Sequence, residues 1–300
     1  MTDQAPAPST DANASADSKG KVRKEETWLD TVKFIVWLVL IVVVVRSFVF
    51  SPFNIPSQSM LPRLLIGDYL FVSKFNYGFS RYSLPFSPPF PTLHWSDPQR
   101  GDVVVFKAPV AENDWIKRVI GLPGDTVQVQ GGQLILNGKR IPKDRIDDFV
   151  VPITPNFPAA GPTSAGECKE QFVTTDAQHQ QICRIPRYRE TLPSGRTYEV
   201  LDEGNQPCTP LATICPDDTD VYTVPAGHVF LMGDNRDNSA DSRFPQTPGD
   251  PSRTGISFVE VERIEGKAVV SFWSTDGSAN WFLPWTWFTA ARWSRIGHGF

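Results

Sequence analysis

The sequence carries no excess of charge of either sign. Lys and Arg number 29 against 33 Asp and Glu, a formal net charge of -4. Nucleic-acid binders concentrate a basic excess on one face, so the charge supports no nucleic-acid partner. Histidine is scarce: the four present, at 94, 179, 228 and 298, are scattered. There is no C-x-x-C pair and no histidine at metal-ligand spacing from a cysteine, which argues against zinc. There is no G-x-S-x-G elbow, and no His-Asp helper for a serine is evident. Long runs of helix formers are few, which argues against an all-helical protein, and no internal repeat is visible.

What the chain does have is proline and aromatic residues. Proline accounts for 27 of 300 residues, 9% against a usual ~5%, and 20 Phe, 9 Trp and 6 Tyr accompany it. That composition favours short strands and loops. The length suits one large domain or two ordinary ones. Residues 1–27 open with Ala, Pro, Ser, Thr, Asp, Asn and Gln and cannot bury enough surface to offset their ordering entropy; they read as a disordered tail.

The single long apolar run follows. Phe34 to Val45 is twelve apolar residues without interruption, and Thr31 to Phe50 contains only Lys33 and Arg46 as charges. Twenty residues at 1.5 Å each, with the charges near the ends, is a spanning length. A cleaved signal peptide needs a small-residue cleavage site, whereas Phe48, Phe50 and Phe53 follow this run. A soluble core helix would have amphipathic neighbours, and none precedes it. Residues 28–50 are therefore expected to form one uncleaved transmembrane helix in a lipid bilayer. Lys21, Arg23 and Lys24 precede it and only Arg63 lies in the next twenty residues, so the tail is expected in the cytoplasm and residues 51–300 outside it.

Beyond the helix, short β-branched and aromatic runs at 68–75, 102–109, 114–122, 125–130, 133–141, 228–234 and 267–273 are bounded by Gly, Pro, Asp or Asn and read as strands. Gly131-Gly132 and Asn137-Gly138 read as hairpin turns. Residues 145–220 show weak periodicity and hold all four cysteines, so they read as an insertion or subdomain. The expected fold class is mainly β: one N-terminal transmembrane helix, then an extracytoplasmic all-β catalytic domain with an inserted subdomain. Outside the cytoplasm the cysteines can form disulfides. Cys208 and Cys215 bracket a six-residue loop with Pro210 and are the first expected pair, which leaves Cys168 to pair with Cys183 across fourteen residues. The aromatic stretch 281–296 has two readings, core packing or contact with a membrane interface.

Four stretches are dense in polar and turn residues: 54–78, 100–107, 115–125 and 233–243. Each alone has an ordinary reading. Ser57 and Ser59 between Pro56 and Pro62 could merely make turn hydrogen bonds, Lys117 could sit on a strand surface, and 233–243 could be a solvated loop. A calcium loop at 233–243 is disfavoured, because the EF-hand glycine and terminal glutamate are missing and Arg236 stands where a ligand should be. Together and in this order, S-x-S-M-x-P at 57–62, K-R-V-I-G-L-P-G-D at 117–125 and G-D-N-R-D-N-S-x-D-S-R at 233–243 resemble the bacterial type I signal peptidases, with R-W-S-R-I-G at 292–297 similar to that family's ending. The likeness covers about residues 30–145 and 220–297.

The resemblance implies a membrane-bound serine endopeptidase that removes signal peptides from exported preproteins after small residues, in the A-x-A pattern. The expected location is the bacterial inner membrane, single-pass, with a periplasmic catalytic domain, a monomeric state and no metal or organic cofactor. It implies Ser59 as nucleophile and Lys117 as general base, with the Ser59 amide and Ser57 hydroxyl stabilising the oxyanion. It further implies that Ser239 hydrogen-bonds Lys117, that Asp241 and Arg243 form an ion-pair network with Arg118, and that Phe53, Ile55, Leu64, Val105, Trp115 and Ile116 line the pockets for small side chains. Physical chemistry supports the dyad independently. A lysine with a pKa near 10.4 is neutral in roughly one molecule in 2,500 at pH 7, so it serves as a base only if burial lowers that value. The apolar flanks Trp115, Ile116, Val119 and Ile120 can bury it, while alternation turns Arg118 to the other face. Two alternatives remain: a relative in the same clan with a dedicated substrate, and a membrane-anchored binding protein that keeps the fold without the chemistry.

Overall fold

The computed structural model describes residues 28–79, 82, 92–109, 113–160, 167–204, 215–246, 255–280 and 282–300. The expected tail at 1–27 lies outside them. The chain divides into two units, residues 1–42 and 43–300, so the cysteine-bearing segment shares a unit with the other strands.

The apolar run forms α1 (Trp28–Phe48), 21 residues. It is apolar around its whole circumference and its apolar side chains are solvent-exposed. A helix that is hydrophobic all round needs a lipid or protein environment. It is the one helix among the described residues long and apolar enough to cross a membrane.

The second unit is built of strands, because alternating β-branched residues can bury one face of a pleat. In chain order these are β1 (Phe50–Asn54), β2 (Asp68–Ser73), β3 (Gly78–Phe79), β4 (Leu93–His94), β5 (Val103–Lys107), β6 (Asp114–Gly121), β7 (Thr126–Gln130), β8 (Gln133–Leu136) and β9 (Lys139–Arg140). They continue with β10 (Lys143–Pro152), β11 (Val173–Thr175), β12 (Gln181–Thr191), β13 (Thr197–Leu201), β14 (Tyr222–Thr223), β15 (His228–Met232), β16 (Val259–Glu260) and β17 (Ile264–Ser274), before a short helix α2 (Trp285–Thr289). A seven-stranded antiparallel sheet has the order β1-β2-β17-β5-β6-β15-β16. A second sheet is β14-β7-β8-β9. In it the expected turns form with Gly131, Gly132, Asn137 and Gly138 all at positive φ, which two-residue hairpins require.

The segment expected as an insertion forms a sheet of its own, β10-β12-β11 with β13 also on β12. The expected bridge between Cys168 and Cys183 is present there, with a Cα separation of 5.9 Å, and both cysteines pack among Leu61, Val151, Phe157 and Leu201. Cys208 lies outside the described residues, so the expected pair with Cys215 cannot be placed; Cys215 itself is disulfide-bonded. The core reading of 281–296 is not borne out. Phe282 is 91% exposed, and Trp285, Phe288 and Trp293 are also exposed, although Ala290 is buried and the Trp293 ring meets Trp273 of β17 edge to face.

Candidate active site

Strand order decides what meets here. β1 lies at one edge of the large sheet and β6 near the other side, and the chain leaving β1 turns back through Pro56 and Pro62 over the sheet. That turn carries Ser57 and Ser59. β6 pairs with β5 so that Val104 faces Lys117 and Val105 faces Ile116. As side chains alternate along β6, Lys117 and Arg118 leave on opposite faces.

Lys117 Nζ donates to Ser59 Oγ at 2.8 Å and to the Ile116 carbonyl at 3.1 Å. Both residues are buried, Ser59 at 8% and Lys117 at 4% exposure. Nζ lies 5.3 Å from the centre of the Trp115 ring, and no carboxylate among the described residues pairs with it. Burial lowers the Lys117 pKa to about 8, against the opposing pull of Asp241 and Asp234. At pH 7 roughly one amine in ten is then neutral, against about one in 3,000 for an ordinary lysine. A neutral amine at 2.8 Å can accept the hydroxyl proton as Ser59 attacks. Ser57 Oγ stands 3.4 Å from Ser59 Oγ, near enough to serve an oxygen developing charge beside it.

The loop after β15 clamps this turn. The Asn235 amide donates to the Ser59 carbonyl at 3.1 Å and its side chain to the Gln58 carbonyl at 3.2 Å. Gly233 is required by close approach, because a Cβ there would collide with Ser239 Oγ and with the Ser59 carbonyl. Asp241 accepts from the Gly233 amide at 3.1 Å and from Arg243 Nε and Nη2 at 2.9 Å. Burial alone would raise the Asp241 pKa, but Arg243 holds it below the usual carboxylate range. Arg236 reaches β12 and donates to both Glu190 oxygens, at 2.7 and 2.5 Å.

A cleft of about 480 Å³ opens beside Ser59. Phe53, Ile55, Val105, Trp115 and Ile116 line it, together with Ser57, Ser59 and Lys117. Three expectations need correction. Leu64 is wholly buried in the cluster of Ile55, Met60, Leu70 and Val103, behind the wall rather than on it. Arg118 pairs with Asp234, through Nε and Nη2 at 2.6 Å each, and not with Asp241. The cause is register: Met232 faces Arg118 across β15 and β6, which brings Asp234, two residues on, beside the guanidinium. Ser239 makes no hydrogen bond to Lys117. Its hydroxyl is buried without a hydrogen-bond partner among the described residues, while the amine is directed at Ser59 and Ile116.

With this geometry in place, the sequence matches the profile of the family described as signal peptidase, peptidase S26, over residues 28–273. The chain belongs to the signal peptidase family. It is 31% identical to a signal peptidase I of Rickettsia prowazekii, over 87% of this chain and 89% of the relative. It is 35% identical to a signal peptidase I of Pseudomonas fluorescens, over 83% and 73%. A solved signal peptidase I from Enterococcus faecalis aligns with 21% identity over 57% of this chain and 97% of that one, at a TM-score of 0.27. As a signal peptidase family member, the chain is a serine endopeptidase. Reading the sequence alone overlooked four members of the site: Asp234 and Asn235, which position the neighbouring strand and turn, and Asn238 and Ala240, which line the cleft on either side of Ser239. All four lie inside the run 233–243, so the signal was there, but nothing in the run says which carboxylate faces which arginine.

Proposed function

We propose that the chain is a membrane-anchored signal peptidase in which Ser59 is the nucleophile and Lys117 the general base. The observation that carries this reading is the 2.8 Å hydrogen bond between a buried lysine and a buried serine at the wall of an apolar cleft. The preprotein lies extended along the cleft, hydrogen-bonding the free edges of the strand ends on either side. Ser59 Oγ attacks the scissile carbonyl carbon as its proton passes to Lys117 Nζ. The Ser59 amide and the Ser57 hydroxyl stabilise the oxyanion. Collapse expels the new N-terminal amine, which takes the proton from Lys117, and leaves the signal peptide as an ester on Ser59. Lys117, neutral again, deprotonates the water that hydrolyses the ester. Ile55, Val105 and Ile116 crowd the cleft beside Ser59 and accept alanine-sized side chains, which supports cleavage after A-x-A.

α1 supports a single-pass anchor, and the basic residues before it support a cytoplasmic N-terminus with the catalytic unit outside the bacterial inner membrane. The exposed Trp285, Phe288 and Trp293 suit a bilayer interface, where amphipathic aromatic rings settle. The test is cleavage of a preprotein by the purified chain in detergent, with mass spectrometry of the new N-terminus. Ser59→Ala and Lys117→Ala should each abolish cleavage in a folded protein. Appreciable turnover by either variant would overturn the dyad.

A further inference from the structure

Arg118, which leaves β6 on the other face from Lys117, lies in a second pocket of about 270 Å³, bounded also by Arg63, Arg189 and Arg196 with Thr197, Tyr198, Glu199 and Phe300. The sequence brings the arginines together from three separate regions: the turn after Pro62, the strand carrying Lys117, and the hairpin of β12 and β13. Their carboxylates do not balance them. Arg118 is matched by Asp234. Arg196 shares Asp102 with Lys267, at 2.8 and 2.7 Å. Arg187 and Arg189 share Glu199, at 3.0 and 3.8 Å. Arg63 has no carboxylate partner among the described residues; it donates to the Gly299 carbonyl and lies 5.6 Å from the centre of the Phe300 ring. Four arginines therefore line the pocket, and of these Arg63 alone meets no carboxylate among the described residues, while Arg189 and Arg196 each share one with a cation outside it. Burial and then the neighbouring Arg118 lower the Arg63 pKa, against the opposing pull of Asp234 and Glu199.

Guanidinium groups gathered around one polar hollow repel one another unless an anion lies between them. We propose that this pocket is a binding site for a phosphate-class oxyanion, held by Arg63, Arg189 and Arg196 with Arg118 at its floor. Guanidinium forks match the tetrahedral oxygens of a phosphate with paired, charge-assisted hydrogen bonds. A phosphoryl group supplies the anion that Arg63 lacks, and the pocket has room for the group together with a small substituent. That chemistry is shared by free phosphate and by the phosphomonoester headgroup of a lipid.

The test is calorimetric titration of the full-length protein in a neutral detergent, at constant ionic strength, with inorganic phosphate and separately with dihexanoyl phosphatidic acid. Saturable binding of phosphate at one site per chain is expected. Arg189→Gln changes a half-exposed side chain and should fold normally, as a thermal melt will verify. It and Arg63→Gln should each weaken binding by about tenfold, the loss of a charge-assisted hydrogen-bonding partner. Binding of the short-chain lipid about tenfold tighter than phosphate assigns the site to a headgroup, since the substituent then contributes; equal or weaker binding assigns it to the free ion. Absence of saturable binding by either titrant, or unchanged affinity in both folded variants, overturns the proposal.

Discussion

The protonation state of Lys117 controls both activity and stability, and loss of the proton favours both. Its pKa is about 8 against an ordinary 10.5, a difference equivalent to about 3 kcal/mol at 1.36 kcal/mol per decade. The dominant cause is burial, which penalises the ammonium. If the neutral amine is the base, kcat/KM for a peptide substrate should rise tenfold per pH unit below the midpoint, reach half its limit near pH 8 and level off above it. Ile116→Asn admits water to the cleft wall and should move the midpoint up. Asp234→Asn removes a charge that favours the ammonium and should move it down, each on the order of one pH unit. The same value fixes a stability effect. The folded chain holds the Lys117 proton less tightly than the unfolded one, so between pH 8 and 10.5 the unfolded state binds more protons and stability rises with pH. Below pH 8 the full cost of about 3 kcal/mol is present. Lys117→Met, of similar length and uncharged, should therefore abolish activity yet raise the melting temperature at pH 7, on the order of 5 °C for a chain of this size, with the gain shrinking as the pH approaches 10.5. A rate profile flat from pH 6 to 10, or a methionine variant that melts lower at pH 7 than at pH 10 relative to the parent, refutes a buried, proton-shedding lysine.

Ser239→Ala removes a buried hydroxyl that has no hydrogen-bond partner among the described residues, so it should leave the melting temperature unchanged or raise it. If the hydroxyl engages the amine once substrate is bound, kcat should fall by about tenfold or more, and steady-state kinetics beside a melting curve separates the two effects. Asp237 has its pKa raised to about 6, first by burial and then by Asp202, Asp217 and Glu203, although the Glu203 amide opposes this. Its folded pKa lies above its unfolded value, so the ionised form destabilises the fold above pH 6 and the effect fades as the pH drops towards 4. Asp237→Asn should accordingly raise the melting temperature at pH 7.5 and change it little at pH 4; an equal gain at both values would rule out the carboxylate charge as the cause. Replacing Cys168 and Cys183 by serine opens a short covalent loop and should cost about 3 kcal/mol of stability. Peptide cleavage well below the melting point should survive, because the bridge packs in the cluster beside β12 and not in the cleft; loss of cleavage there would show that the bridge shapes the site.

The parts of this protein that depend on near neighbours in the chain were legible in its sequence. α1 follows from an unbroken apolar run, and β5, β6, β7, β8 and β15 follow from alternation bounded by turn residues, because period and turn chemistry are local properties. Ser59 and Lys117 stood out through the motifs around them, and the apolar flanks of Lys117 already implied a lowered pKa. Partner choice across the sheet was not legible. Arg118 takes Asp234 rather than Asp241 because β6 and β15 are adjacent in one register, and a register is settled by the packing of whole strands. Leu64 withdraws into the core because its turn folds back over Leu70 and Val103. Phe282, Trp285 and Phe288 stay exposed on and beside the short α2, which their apolar character alone did not reveal. The arginine pocket likewise exists only once the β12–β13 hairpin meets the turn after Pro62. Composition and spacing thus set which groups are available for chemistry, while the order of strands in the sheet decides which charges each of them must face, since an ion pair depends on separation in space and not on distance along the chain.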